Sequence, residues 1–159
     1  MRIGHGFDAH AFVPGRPLVL GGVTIEHPRG LTGHSDADVV AHAIADALLG
    51  AAAMGDLGRH FPPDERWKNA SGATILEATA SLLRHAGFEV VNVDATVVAE
   101  APRLAPHLEA MISIISAALS LSPGAVSVKA TSTDGLGFTG RGEGAACFAV
   151  ALVRSRKVP

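Results

Sequence analysis

Alternation of apolar and polar residues predicts five β-strands in this chain. Residues two apart on a strand point to the same face, so a sheet that is buried on one side shows a period of two. PGRP, at residues 14–17, supplies turn chemistry between the first two predicted strands. The predicted strands cover residues 2–12, 18–26, 88–99, 126–132 and 144–153.

Apolar residues at helical spacing predict three helices, over residues 34–52, 74–87 and 106–122. Ser35, with Asp38 three residues later, indicates a variant capping box at the start of the first helix. The segment 55–72 has no consistent period, and long loops of this kind are usually functional or mobile. A glycine-rich turn at 135–144 joins the last two strands.

The order strand-strand-helix-helix-strand-helix-strand-strand predicts an α+β fold, a mixed β-sheet with helices packed on one face. The other face is then left for partners. We expect a single domain over residues 1–159, because this length is enough to bury a core. With 48% hydrophobic and 18% charged residues, a disordered chain is excluded. The mean hydropathy of +0.31 favours an oligomer, although a monomer core rich in Val and Ala would give a similar value.

Charge and cysteine content narrow the function classes. The net charge is −2 and the basic residues form no stripe, so we expect no nucleic-acid partner and a solvated tail at 154–157, RSRK. The single cysteine, Cys147, excludes an internal disulfide and a thiolate zinc cluster, and its apolar surroundings predict a buried structural role. The chain lacks a signal-peptide pattern and an apolar run of about 18–20 residues, which predicts a cytoplasmic protein without a membrane partner.

Acidic and imidazole side chains concentrate in HGFDAH, residues 5–10, and HSDADVVAH, residues 34–42. Asp8 and His10 share one strand face, while Asp38, His42 and Asp46 share one helix stripe. If that stripe packs over the first strand, His42 completes a set of two imidazoles and one carboxylate, the donors of a catalytic zinc site with an open position. Asp38 or Asp46 could then orient the second ring nitrogen of His42. The alternative is that the spacing of Asp8 and His10 arose by chance, because any chain with eight histidines contains a few acid-X-His triplets that bind no metal.

Two further stretches are candidates for anion binding. His34 and Ser35 lie at the predicted helix N-terminus, which favours either a bound phosphate or plain helix capping. GLGFTGRGEG, residues 135–144, could cradle phosphate oxygens through backbone amides with Arg141 adding charge, although glycine-rich turns are common. The remaining isolated histidines show no pattern and are expected to be ordinary surface or core residues: His5, His27, His60 and His85.

Taken together and in order, several motifs resemble the 2-C-methyl-D-erythritol 2,4-cyclodiphosphate synthase family nearly from end to end. They are RIGHGFDAHAF, GHSDADVVAHAIADALLGAA, GDLGRHFP, NVDATVVAEAPRLAPH and VKATSTDGLGFTGRGEG. The resemblance implies a homotrimer with active sites between subunits. It also implies Zn²⁺ held by Asp8, His10 and His42, and Mg²⁺ or Mn²⁺ bridging the phosphates of the substrate.

The reaction implied by the resemblance is cyclisation of 4-diphosphocytidyl-2-C-methyl-D-erythritol 2-phosphate with release of CMP, in the non-mevalonate isoprenoid pathway. His34 and Ser132 would aid the transition state, and an apolar central cavity near Phe138 and Arg141 could hold an isoprenoid diphosphate. The implied substrate contacts are Asp8, His10, His34 and Ser35; Asp56, Leu57, Gly58, Phe61, Pro62, Pro63, Asp64 and Glu65; Ala99, Glu100, Ala101, Pro102, Arg103, Leu104 and Ala105; Thr131, Ser132, Thr133 and Asp134; and Phe138 and Arg141.

The chain departs from the family pattern at a few of these positions. Arg103 stands where Lys is usual, Ser132 where Thr is usual and Asp134 where Glu is frequent, and the loop after Phe61 is one residue shorter than in many members. Two other functions remain as alternatives. A zinc hydrolase would need an additional general base, for which Glu100 and Glu143 are the only candidates. A non-catalytic trimer would bind a ligand through its metal or cavity.

Overall fold

A computed structural model describes residues 1–156 of the chain. Its main sheet has five strands in the order β4-β1-β7-β5-β6, and β2 and β3 form a separate hairpin. Only the β5–β6 pair is parallel, so the sheet is mixed as predicted. The strands are β1 (Arg2–Pro14), β2 (Leu18–Leu20), β3 (Val23–Ile25), β4 (Arg29–Leu31), β5 (Phe88–Val98), β6 (Val126–Thr131) and β7 (Gly144–Ser155).

The helices are α1 (Val39–Ala51), α2 (Leu57–His60), α3 (Gly72–His85), α4 (Leu108–Leu119) and α5 (Gly137–Gly140). Helix α1 packs closely on β1 because Gly4 and Gly6 lack side chains. A Cβ atom on these glycines would lie 1.9 Å from the Ala47 carbonyl and 2.0 Å from the Ala43 carbonyl, respectively. Asp8 and His10 follow on the same face of β1, so the close approach brings His42 of α1 next to them.

Helices cover one face of the sheet and leave the other face uncovered, as expected for the predicted α+β fold with helices on one face. Alternate side chains of β5 and β7 are buried against the helices, among them Val97 and the single cysteine, Cys147. The opposite face carries large apolar side chains that stay exposed: Ile3 at 72%, Phe7 at 46%, Phe148 at 47% and Val150 at 38%. The helices therefore lie on one side, and an apolar surface remains on the other.

The predicted strand over 18–26 is wrong, because the chain reverses at Gly21 and Gly22. Both glycines have positive φ values, +57° and +78°, which a two-residue hairpin turn of this kind needs. The continuous apolar run on either side hid the turn, and it gives β2 and β3 in place of one strand. Strand β4 was not predicted at all.

The first helix begins at Val39, five residues after the predicted start, so the capping box at Ser35 is wrong. Asp38 is the N-cap, and its Oδ1 atom accepts hydrogen bonds from the Val40 and Ala41 N–H groups. The same carboxylate accepts from the N–H groups of Gly21 and Gly22, 2.8 and 2.7 Å away. A fully buried Asp38 thus ties the start of α1 to the hairpin.

Smaller differences concern loops and ends. The predicted loop 55–72 contains the short helix α2, and the glycine-rich turn contains α5. Residues 154 and 155 of the predicted tail are exposed but belong to β7, whereas Lys157 lies outside the described residues. Among the helices of residues 1–156, none has the length and apolar character that a membrane crossing requires. The single domain and the cytoplasmic location stay predictions.

Candidate functional site

Asp8, His10 and His42 converge at one end of the contact between β1 and α1. The Asp8 Oδ2 atom lies 3.0 Å from His10 Nε2 and 3.0 Å from His42 Nδ1. One candidate donor atom from each residue lies within 4.8 Å of the other two, so a single ion could contact all three. The predicted set is therefore brought together by the fold, and it can hold a metal ion.

The electrostatics of the cluster suit a cation. Burial raises the pKa of Asp8, but hydrogen bonds to His10 and His42 and the attraction of both imidazoles hold it well below its usual range. Burial lowers the pKa of His42, yet the hydrogen bond to Asp8 and the negative charge of Asp8 outweigh it and raise this pKa. Asp8 is consequently ionised at neutral pH and ready to act as an anionic ligand.

The second ring nitrogen of His42 faces Ser35, not Asp38 or Asp46 as predicted. The Ser35 Oγ atom lies 3.1 Å from His42 Nε2 and accepts a hydrogen bond from the Ala37 N–H group. Asp46 accepts from the Leu57 N–H group at 2.7 Å and anchors α2 instead. Asp38 and Asp46 each accept hydrogen bonds from backbone N–H groups, and Ser35 is the residue that orients the ring of His42.

A pocket of about 210 Å³ opens at the cluster. Its other walls come from the 34–35 segment, from the loop after α2 and from α3. The lining residues besides the cluster are His34, Ser35, Leu57, Phe61, Pro63, Trp67 and Ile75. A second, more open pocket shares Asp8, His42 and Leu57 and is completed by Phe7, Asp46, Asp56 and Gly58. Asp56 is exposed there and caps α2 through the Arg59 N–H group, 3.0 Å from Asp56 Oδ1.

His34 lies at the rim of the first pocket, in a loop and not at a helix N-terminus. The predicted anion site at the helix dipole is therefore wrong, because Asp38 already occupies the first turn of α1. The Nε2 atom of His34 is 2.6 Å from the Asp64 carbonyl oxygen. Because a carbonyl oxygen only accepts, Nε2 carries the hydrogen and donates it. This contact leaves Nδ1 of His34 as the nitrogen free for a ligand.

A separate pocket of about 290 Å³ lies near the other edge of the sheet. The segment after β5 and the end of β6 form it, and Arg103 is its only basic residue. Its lining residues are Ala99, Glu100, Pro102, Arg103, Leu104, Ala105, Ala130, Thr131 and Ser132. The predicted stretches 99–105 and 131–132 thus meet, apart from Ala101, which is not among the lining residues.

Several predicted contacts lie outside these pockets in the described chain. Glu65 is exposed beside Lys68, and Arg141 forms an ion pair with Glu143 in which the Nε–Oε1 distance is 2.7 Å. Pro62, Thr133, Asp134 and Phe138 also line none of the three. Conversely, sequence patterns gave no signal for Phe7, Trp67, Ile75 or Ala130, which do line them. Their role depends on contacts between elements that are distant in sequence.

The cluster and the Arg103 pocket do not join within one chain. Asp8 pairs with Cys147, which pairs with Val97, which pairs with Ala130. These three steps across the sheet amount to about 14 Å at the usual strand spacing. Cys147 and Val97 between them are completely buried, so core and not an open groove separates the two pockets.

Comparisons with known proteins agree over nearly the full length. The YgbB family model matches residues 1–154. The 2-C-methyl-D-erythritol 2,4-cyclodiphosphate synthase of Moorella thermoacetica is 56% identical over 158 residues, 99% of this chain and 97% of that protein.

Two solved structures extend the agreement to the fold. The bifunctional IspDF of Campylobacter jejuni superposes with a TM-score of 0.92 and 42% identity, covering 97% of this chain and 42% of that one. The IspF CDP complex of Plasmodium falciparum gives a TM-score of 0.85 and 31% identity, covering 98% of this chain and 97% of that one.

Proposed function

Because the chain belongs to the YgbB family of 2-C-methyl-D-erythritol 2,4-cyclodiphosphate synthases, it is an enzyme of isoprenoid biosynthesis, a phosphorus–oxygen lyase, and we propose its substrate and metals. The substrate is 4-diphosphocytidyl-2-C-methyl-D-erythritol 2-phosphate. The products are 2-C-methyl-D-erythritol 2,4-cyclodiphosphate and CMP. The observation that carries this proposal is the convergence of Asp8, His10 and His42 beside a pocket of about 210 Å³.

The donor set fits zinc. Two imidazoles and one carboxylate are the ligands of many catalytic zinc sites, and three protein ligands leave a position for substrate. Zinc held by Asp8, His10 and His42 would act as a Lewis acid on a phosphate oxygen. Mg²⁺ or Mn²⁺ fits the phosphates themselves, since these ions bind few protein carboxylates and mainly substrate oxygens.

The chemistry requires no enzyme nucleophile. An oxygen of the 2-phosphate attacks the β-phosphorus and forms a P–O bond. The bond from the β-phosphorus to the oxygen of the α-phosphate breaks, and its electron pair leaves with CMP. Catalysis of this kind depends on alignment of the reacting groups and on neutralising charge. The chain's contribution is therefore to hold two phosphates in line.

His34 and Ser132 are the groups we assign to transition-state stabilisation. His34 stands at the rim of the cluster pocket, with its ring held by the Asp64 carbonyl. Ser132 lines the Arg103 pocket, and its hydroxyl contacts Asp134 at 3.3 Å. The Ser132 hydroxyl can donate a hydrogen bond to a phosphate oxygen as charge develops, and His34 can donate from Nδ1 in its imidazolium form.

The remaining contacts divide between the two pockets. Asp56, Leu57 and Gly58 lie where the methylerythritol unit would reach the cluster. The 99–105 segment and Arg103 would hold the cytidine and its diphosphate. The Plasmodium falciparum relative is described as a CDP complex, which supports a cytidine nucleotide as ligand.

We also propose a homotrimer in which each active site uses the cluster of one subunit and the Arg103 pocket of its neighbour. The separation of the two pockets by buried core supports this arrangement. So does the exposed apolar sheet face around Phe7 and Phe148, whose rings contact each other at a tilt of 45° with their centroids 4.9 Å apart. Isolated monomers rarely expose such patches.

An isoprenoid diphosphate is the ligand we propose for the centre of the trimer. Phe138 is exposed and Arg141 carries an exposed charge, a combination that suits an apolar tail with an anionic head. Adding geranyl diphosphate should change turnover and bind measurably by calorimetry. Unchanged turnover without binding would remove this part of the proposal.

Phosphorus NMR on the purified protein tests the reaction. The metals are removed with a chelator, zinc and magnesium are restored separately and together, and the proposed substrate is added. We expect CMP and a cyclic diphosphate only when the metals are present. CMP with a linear phosphorylated product would indicate a hydrolase, and no turnover with bound zinc would indicate a binding protein.

A further inference from the structure

Arg16 lies in the turn between β1 and β2 and reaches across to the loop that carries His34. Its Nη1 atom donates to the Gly33 carbonyl at 2.7 Å, and its Nη2 atom donates to the Ser35 carbonyl at 2.6 Å. The two acceptors are the carbonyls of the residues on either side of His34. One planar guanidinium therefore spans the residue to which we assign a role in the transition state.

Nothing else in residues 1–156 hydrogen-bonds these two carbonyls. The neighbouring backbone is held by other groups: the His34 carbonyl accepts from Asn69 N–H, and Asp36 N–H donates to the Ala70 carbonyl. These partners belong to the loop after α2, which also forms the pocket wall. Within residues 1–156, Arg16 is the side chain whose hydrogen bonds, the Arg16 clamp, attach the 33–35 segment to the turn between β1 and β2.

Within residues 1–156, the guanidinium of Arg16 forms no ion pair with a carboxylate. No acidic side chain within the described part of the chain lies within 4.0 Å of its guanidinium. Two short, charge-assisted bonds to carbonyls are stronger than neutral ones, and their fixed fork geometry specifies direction. A lysine at this position would carry its three donors on one freely rotating nitrogen and would lack the planar fork that fixes the direction of both bonds.

The position that Arg16 holds also affects the cluster of Asp8, His10 and His42, because Gly33 packs against one of its rings. A Cβ atom on Gly33 would lie 2.8 Å from the Ala37 Cβ and 3.4 Å from the Cε1 atom of His10. The segment is thus wedged against a metal-ligand ring on one side and held by Arg16 on the other. Ser35, which contacts His42, is at the end of the same three residues.

We propose that Arg16 is a positioning residue for catalysis: it fixes the 33–35 segment so that His34 and Ser35 meet the substrate phosphates and His42. This inference rests on the proposed cyclase function. Arg16 touches neither substrate nor metal, so its effect passes through the segment. Removing it should let His34 move away from the reacting phosphate.

Two variants, R16M and R16K, and one control separate positioning from general stability. R16M keeps most of the aliphatic stem and loses both bonds, while R16K keeps the charge. R84M removes an exposed arginine from the last turn of α3 and serves as the matched control. We expect kcat of R16M to fall about 10- to 100-fold with KM unchanged, R16K to lose less, and R84M to match the wild type.

Hydrogen exchange of the amides of Asp36 and Ala37, measured on the same proteins, reports the clamp without any activity. We expect faster exchange in R16M than in the wild type and R84M. A kcat for both R16M and R16K within about twofold of the wild type would overturn the proposal, because 1 Å misplacements at active sites cost far more. If R16M does not fold, the kcat of R16K decides alone.

If the wild-type protein does not convert the substrate, the proposed function fails, and the exchange data still decide whether Arg16 holds the segment. Equal exchange of these amides in R16M and in the wild type would overturn the clamp in either case.

Discussion

Both ring nitrogens of His42 have defined partners, and this determines which one can bind a metal. Nδ1 faces Asp8 at 3.0 Å and Nε2 faces Ser35 at 3.1 Å. When a metal ion takes the lone pair of Nδ1, the ring hydrogen has to sit on Nε2, and the Ser35 hydroxyl is its acceptor. Ser35 thereby selects the tautomer that suits the metal site.

Replacing Ser35 by alanine should weaken zinc binding about 10- to 100-fold, the usual effect of losing a partner of a metal-bound histidine. Competition with a chromophoric chelator measures the dissociation constant. S113A, which removes an exposed serine hydroxyl from α4, is the control and should bind zinc as the wild type does. An unchanged zinc affinity of S35A would mean that the ring is oriented by packing alone.

Cys147 illustrates a residue whose role was predicted correctly from its apolar surroundings. The thiol is completely buried, and burial together with the negative charges of Asp38 and Asp8 raises the pKa of Cys147 to about 12. At pH 8 the thiolate fraction of the folded protein is then about 10⁻⁴, against roughly a quarter for an ordinary cysteine.

We therefore expect Cys147 to react with a thiol reagent at pH 8 only after unfolding. The measurement compares the reaction rate in buffer with the rate in concentrated urea. The rate in buffer should track unfolding and be slowed further by conditions that stabilise the fold. Complete reaction of the native protein within seconds would contradict the burial of the thiol.

At the scale of elements, long periodic segments were predictable and short ones were not. Strands β1, β5 and β7 and helices α1 and α3 each carry a pattern over ten or more residues. The hairpin β2–β3 was missed because apolar residues continue on both sides of Gly21 and Gly22. In the segment 34–38, Ser35, Asp36 and Asp38 could each cap a helix, and only the hairpin, distant in sequence, favours Asp38.

The close packing of α1 on β1 is the element-scale contact on which the metal cluster depends. Replacing Gly6 by alanine places a methyl group 2.0 Å from the Ala43 carbonyl and 2.6 Å from the Ala47 N–H nitrogen. Overpacking of this kind costs about 1–3 kcal/mol. The helix has to shift, so His42 should also move away from Asp8 and zinc binding should weaken.

Urea unfolding at a fixed protein concentration, followed by circular dichroism, gives the loss of stability of G6A. The control is G124A, because a Cβ atom on Gly124 meets nothing within 4 Å. Its free energy of unfolding should change by no more than about 1 kcal/mol. Equal stability and zinc affinity of the two variants would show that the helix is not held by glycine contact.

The part of the candidate site that depends on the spacing of residues along the sequence was predictable. The spacing of Asp8 and His10 on a strand and the position of His42 on a helix predicted the three candidate metal ligands, and the structure brings them together. The Ser35–His42 contact, the Arg16 clamp and the Trp67 and Ile75 walls each join elements that local periodicity does not relate. Such contacts follow from packing between elements, which no window of neighbouring residues contains.

At the scale of the whole molecule, a single chain offers two incomplete half-sites and one uncovered apolar face. The cluster lies at β1, and the Arg103 pocket lies near β6, with buried Cys147 and Val97 between them. In the ring of subunits that we propose, the cluster of one chain would join the pocket of the next, and apolar surface would be covered at the same time. Both features are then explained by one assembly.

Complementation between two inactive variants tests this arrangement. H42A lacks a metal ligand, and the double variant R103A/S132A lacks the pocket groups, so each protein alone should be inactive. When the two chains are co-expressed and assemble at random, about a quarter of the sites in a ring combine an intact cluster with an intact pocket. We expect the mixed protein to recover about that share of wild-type turnover, measured by CMP release. If both halves of a site came from one chain, every site would carry a defect and no activity would return, whatever the oligomeric state.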